Sequence, residues 1–315
     1  MIPIARPRRS RPGRRRRGVA LALLAAVAWS VAACGDDGAA ARARASAAYD
    51  RAVAHAQAGR LAPARDALAE SLRDAPEVAH VRKLYGVVLE RLDDVEGAER
   101  EMREAVRLAP DDPDARLHLA RIERKRALDA RIALAHHRAS EAPDDVALRY
   151  ALGELLLERG RFDGALVELL RAERRGGSDA RSNALLGLAY AGQQRHVRAL
   201  HHLSEALRLG SDDPRVRAEL VFLLATSRAD DLRDPERALR EAAPALEGAP
   251  TARLLDGVAA AYAAVGRRAD ADAAIARAIA RAVADDDHVS AHEMEQRRAR
   301  YRAGDTWLGP PVDPT

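Results

Sequence analysis

Between residues 81 and 92 the apolar positions Val81, Leu84, Tyr85, Val88, Leu89 and Leu92 fall three or four apart. That is the period of an amphipathic helix with one buried stripe. Asp93 and Asp94 interrupt the pattern, and a second stripe follows in Val95, Ala98, Met102, Ala105 and Val106. Pro110 closes it, because proline lacks the N–H that a continuing helix would need. Gly86 is small where a second helix would press closest. Residues 79–112 therefore predict an antiparallel helix pair in a unit of 34 residues.

The unit returns along the chain. Leu152-Gly153, Leu156, Gly160, Phe162, Ala165, Leu169 and Ala172 repeat it, as do Leu186-Gly187, Tyr190, Ala199, Leu203 and Ala206. Tyr262, Gly266, Ala271, Ile275 and Ala278 form a late copy, and Gly59, Ala64, Leu68 and Pro76 an early degenerate one. The unit at 113–145 is one residue short and matches poorly in its second helix. The sixth opens on Leu220, Phe222, Leu223, Leu224 and Ala225, followed by a polar loop at 226–233 before Asp234-Pro235-Glu236. One such pair cannot cover both of its stripes. A buried Leu or Val contributes only about 1.5–3 kcal/mol, so stacked neighbours share the stability.

Tyr85-Gly86, Leu89, Ala98, Met102, Ala105 and Pro110 carry a resemblance to the tetratricopeptide repeat. Arg82 departs from it, standing where the family usually has a bulky aromatic. The resemblance implies an all-α superhelical solenoid of antiparallel helix pairs, about seven repeats over residues 45–284, with a C-terminal capping helix. Tyr301-Arg302-Ala303-Gly304 resembles the end of such a helix, and residues 285–315 are expected to be that cap and an irregular tail. Trp307 in this tail is read either as folding back onto the last helix pair, the favoured reading, or as a contact residue.

Charge changes the picture once the N-terminus is set apart. The chain has 52 basic and 48 acidic residues, but residues 1–33 hold eight arginines and no acid. Without them 44 basic residues face 48 acidic ones, a net charge of −4, which argues against general nucleic-acid binding. Those eight arginines precede an apolar run, Gly18 to Ala33, too short for a span of about 20 residues and patterned as a secretion signal. Val31-Ala32-Ala33-Cys34 resembles the lipobox of bacterial lipoproteins, which implies lipidation of Cys34, the sole cysteine. Ordinary cleavage nearby, giving a soluble exported protein, is the other reading. Residues 34–44 then read as the lipidated cysteine and a short tether. Gly35 directly after Cys34 points, by the same resemblance, to the outer membrane facing the periplasm.

Candidate chemistry adds little. His288 and His292 sit four apart with Glu293 beside them, yet no further His or Cys completes a zinc shell, and the His-Glu-x-x-His order is missing. No phosphate-binding glycine loop or nucleophile elbow stands out. The sequence predicts no catalytic residues, cofactor, metal or small-molecule substrate. The repeat resemblance places ligand-facing positions on the first helix of each unit: His80, Lys83, Val87, Glu90 and Arg91, then Leu117, Arg121, Arg124 and Lys125. Tyr150, Glu154, Leu157, Leu188 and Phe222 continue the row. A basic early face and an apolar centre suit a protein or peptide with acidic and apolar anchors. The expected role is a lipid-anchored scaffold of the cell envelope. The alternative is a periplasmic chaperone or carrier for envelope polymers or outer-membrane proteins.

Overall fold

The computed structural model describes residues 36–309, which form fourteen helices and, among the described residues, no strand. Expectations for residues 1–33 and Cys34 lie outside these residues. Helices α1 (Asp36–Gln57) and α2 (Leu61–Asp74) make the first pair, α3 (Ala79–Arg91) and α4 (Val95–Leu108) the second. The array resumes with α6 (Val146–Glu158) and α7 (Phe162–Gly176), then α8 (Ala180–Gly192) and α9 (His196–Arg208). It continues through α10 (Pro214–Thr226) and α11 (Pro235–Leu246), α12 (Ala252–Ala264) and α13 (Arg268–Ala284), and ends in α14 (His288–Ala303).

The expected third pair is instead one unbroken helix, α5 (Pro113–Glu141), of 29 residues. Six helix pairs and one long helix therefore stand where about seven repeats are expected, and α14 follows them in the place of the expected capping helix. The reason is local. Inside five of the six other pairs the chain reverses through a residue of positive φ: Gly59, Asp93, Gly160, Gln194 or Gly266. Glycine enters that region freely, and short polar side chains tolerate it. The matching place in α5 holds Arg126-Ala127, two strong helix formers. At 1.5 Å per residue, α5 is about 43 Å long and serves two cores. Ala115 and Ile122 pack with α3 and α4, whereas Ile132 and Ala139 join the large C-terminal core. A third cluster lies between α1, α2 and α3.

The tether expectation also changes, because residues 36–44 already belong to α1, where Ala45 and Ala48 are fully covered. Their alanine content favours helix. Aspartates start most first helices. Asp112 caps α5, Asp145 caps α6 and Asp213 caps α10, each accepting backbone N–H bonds, and Asp179 with Ser182 forms a capping box on α8.

Curvature follows from which helices touch. From α3 onward, first helices contact their counterparts in the next unit (α3 with α5, α6 with α8, α8 with α10, α10 with α12). Second helices show no comparable contact. The first helices therefore lie on the inside of the bend. Glycine permits the tightest approach: a Cβ at Gly257 on α12 would sit 2.9 Å from the backbone N and Cα of Phe222 on α10.

Candidate functional site: the inner face of the array

The inner face is charged, but most of its charges are already matched. Three carboxylate–guanidinium pairs link successive first helices. Glu90 on α3 takes two bonds from Arg121 on α5, at 2.9 and 2.6 Å. Glu154 on α6 meets Arg181 on α8 at 3.0 Å, and Glu219 on α10 takes two bonds of 2.9 Å from Arg253 on α12. Each exposed pair is worth only about 0–1 kcal/mol. Their effect is to fix side-chain positions and cancel charge.

The expected basic early face is thereby much reduced. Lys83 Nζ lies 2.6 Å from Asp112. Burial works against the charge on Asp112, yet Lys83 and two backbone N–H groups hold its carboxyl below the usual range. Lys125 is 2.7 Å from Asp93, and the Arg159 guanidinium is also 2.7 Å from that carboxylate. Arg159 bonds Asp129 on α5 as well, at 2.8 Å. The hydrogen bonds from Lys125 and Arg159 pull Asp93 down to about 2. His80 is half-buried, edge-on to the Tyr49 ring, and burial with the nearby Lys83 lowers its pKa. Arg91 is exposed at the end of α3. Arg124 is 70% exposed, with only the distant Asp286 carboxylate 3.9 Å away. Leu117, 40% exposed, lies one turn before Arg121.

The apolar centre is covered. Tyr150, 6% exposed, packs in the core below the Arg181 guanidinium, 5.5 Å from its ring centroid. Leu188 is half-buried against the same core. Phe222 is also 6% exposed. The expected set therefore splits. Arg91 and Arg124 face solvent, Lys83, Arg121 and Lys125 are paired, and Tyr150 and Phe222 serve packing.

What covers Phe222 is the C-terminal tail. After Gly304, whose left-handed conformation ends α14, the chain runs back to α10 rather than onto the last pair alone. The Gly309 N–H donates to the Thr226 carbonyl at 2.8 Å, and Arg228 donates to the Gly309 carbonyl. Trp307 tilts against Phe222 at 5.8 Å between centroids. The Arg253 guanidinium lies 3.4 Å from the Phe222 ring centroid, and that of Arg297 on α14 lies 5.0 Å from the Trp307 ring centroid. Four planar groups thus alternate as cation, ring, ring, cation, an arrangement favoured by the ring quadrupole.

Both guanidinium groups are anchored from behind. Arg253 is held by Glu219. Arg297 makes a two-bond pair with Asp256 at 3.0 and 2.8 Å, and the two side chains are 8% and 0% exposed. Burial raises the Asp256 carboxyl, and the Arg297 guanidinium works against that rise. Sequence reading missed Arg253, Asp256 and Arg297. The available signal was Asp256 itself, an acid inside the apolar run Leu254 to Val258, where only a paired charge is tolerated.

The tetratricopeptide repeat family matches residues 49–113 and 115–180. A tetratricopeptide repeat protein from Parabacteroides merdae is 12% identical, covering 76% of this chain and 93% of that one, with a TM-score of 0.38. PilF of Pseudomonas aeruginosa is 18% identical over 76% of this chain and 91% of that chain, with a TM-score of 0.36. MamA of Desulfovibrio magneticus RS-1 is 20% identical over 68% and 96%, with a TM-score of 0.28. No curated protein matches the chain in sequence. Between residues 49 and 180 the chain thus matches tetratricopeptide repeats, and α8 to α13 continue the same all-helical repeat fold.

Proposed function

We propose that this chain is a lipid-anchored scaffold of the bacterial cell envelope that recruits a partner protein through the inner face of its helical array. The observation that carries the reading is the inward row of first helices, on which Arg91, Leu117 and Arg124 stand exposed beside fully paired neighbours. A repeat fold supplies surface rather than a reaction centre, and the role proposed is recruitment without turnover. Tethering at Cys34 would raise the local concentration of a bound partner at the membrane. The lipobox-like Val31-Ala32-Ala33-Cys34 supports that anchor, and Gly35 supports an outer-membrane, periplasm-facing location. Burial of Tyr150 and Phe222 takes away the open apolar surface that a broad-specificity carrier would use.

Two independent experiments test this. Cys34→Ala should move the protein from the membrane to the soluble fraction and abolish incorporation of labelled fatty acid; an unchanged distribution rejects the anchor. Crosslinking in native membranes should enrich one or two partners with the unaltered chain and lose them with Arg91→Glu, Arg124→Glu and Leu117→Ala combined. A broad set of proteins, insensitive to those changes, rejects recruitment through the inner face.

A further inference from the structure

We propose that the surface formed by Phe222, Arg253, Arg297 and the C-terminal carbonyl of α10 is a docking site for an extended peptide presenting a tryptophan, and that the chain's own tail occupies it as a displaceable internal ligand. The inference deepens the scaffold reading above and rests on it for the existence of a partner.

The site is built without the tail. Arg253 is held over Phe222 by Glu219, and Arg297 is held by Asp256, so both cations stay in place if Trp307 leaves. Such preorganisation lowers the cost of binding. Thr226 ends α10, and its carbonyl is among the last four of a helix that lack an intrahelical donor. The N–H of Gly309 fills that vacancy, and Arg228 binds the carbonyl of the same residue. Both are contacts to backbone, so any extended segment can make them, while the aromatic slot selects the side chain two residues earlier. Backbone bonds for affinity with a pocket for specificity is a recurrent mode of peptide recognition.

The tail is held lightly. Asp305 and Thr306 are exposed, Trp307 and Leu308 are partly buried, only Gly309 is buried, and Gly304 provides a joint between α14 and the segment. Beyond the bonds that close α14, the backbone of residues 305–309 makes two hydrogen bonds to the rest of the described protein, both at Gly309: its N–H to the Thr226 carbonyl and its carbonyl from Arg228. The sequence continues as Pro310-Pro311, neither of which carries a backbone N–H. The partner chemistry that fits is therefore an extended segment with a tryptophan followed two residues later by a small residue.

The test uses a fluorescently labelled peptide with the sequence of residues 305–315 and reads its anisotropy. The full-length chain carrying Trp307→Ala should bind it about tenfold more tightly than the unaltered chain, because a short tether presents the internal ligand at millimolar effective concentration. Adding Phe222→Ala to that variant, or using a peptide with alanine in place of its tryptophan, should abolish binding. Equal affinity for the unaltered and Trp307→Ala chains, or binding indifferent to the peptide's tryptophan, overturns the proposal. Hydrogen exchange covers a Trp307→Ala chain that does not fold: excess peptide added to the unaltered protein should speed exchange at residues 305–309. Unchanged exchange at the highest peptide concentration also overturns it. These readouts do not involve Arg91, Leu117 or Arg124, so loss of this site would leave the scaffold reading standing, and failure of partner capture would leave this result intact.

Discussion

Ala127 lies mid-way along α5, exposed, at the place where other units reverse direction. Substituting it separates a continuous helix from a helix pair, because the side chain has no packing role to confuse the outcome. In a continuous helix, Ala127→Pro removes the bond from residue 127 to the carbonyl of Glu123 and drives the ring into that carbonyl. The cost is about 3 kcal/mol or more. Ala127→Gly keeps the bond and loses only helix propensity, about 1 kcal/mol. In a turn the sign of the glycine change would differ, since relieving a left-handed alanine gains about 1–2 kcal/mol with glycine, while proline, locked near φ −65°, would still be costly. Urea unfolding followed by far-UV circular dichroism measures both changes. Trp307 fluorescence, in a Trp29→Phe background, follows the C-terminal core alone. We expect the proline variant to lower the first transition and to separate the two probes, because α5 is what joins the N-terminal clusters to that core. Glycine that is neutral or stabilising would refute the unbroken helix.

Asp256→Ala leaves Arg297 buried without its two-bond partner; Glu293 at 3.7 Å is largely exposed and a poor replacement. It should cost about 3–5 kcal/mol in urea unfolding, whereas Asp256→Leu with Arg297→Met should come close to the unaltered stability; a single-variant loss below about 1 kcal/mol would contradict the pairing. Gly257→Ala should destabilise by about 1–3 kcal/mol, because its Cβ meets the backbone of α10. Gly86→Ala should cost less in the same assay, since its closest clash is the flexible tip of Met102 and the nearest backbone atom, the Ala98 carbonyl oxygen, is 3.3 Å away. The depressed pKa of Asp93 stabilises the fold above the ordinary value of 3.8, and this contribution is lost as pH falls towards about 2. Asp93→Asn should therefore be less stable at neutral pH and lose less stability between pH 4 and 2 in acid titration. Parallel curves for the two chains would remove Asp93 from that role.

The amino-acid sequence alone determined the elements that depend on neighbouring residues. The apolar stripes of Val81 to Leu92 and Val95 to Val106 fix α3 and α4, and the aspartates at 94, 112, 145 and 213 cap the helices that follow them. Helical period and caps are local physics, readable within a few turns of chain. The failed third pair was legible too, since Arg126-Ala127 offers no residue suited to positive φ, but repetition elsewhere masked it. Tertiary structure alone decided what each charge faces. Lys83, Arg121 and Lys125 read from the sequence as ligand-facing cations, yet their carboxylates come from residues up to 32 positions away and cancel them. Phe222 meets Trp307, 85 residues on, and Asp256 meets Arg297, 41 on. Such contacts depend on how successive pairs rotate about one another, a sum of small packing angles that no single stretch of sequence contains.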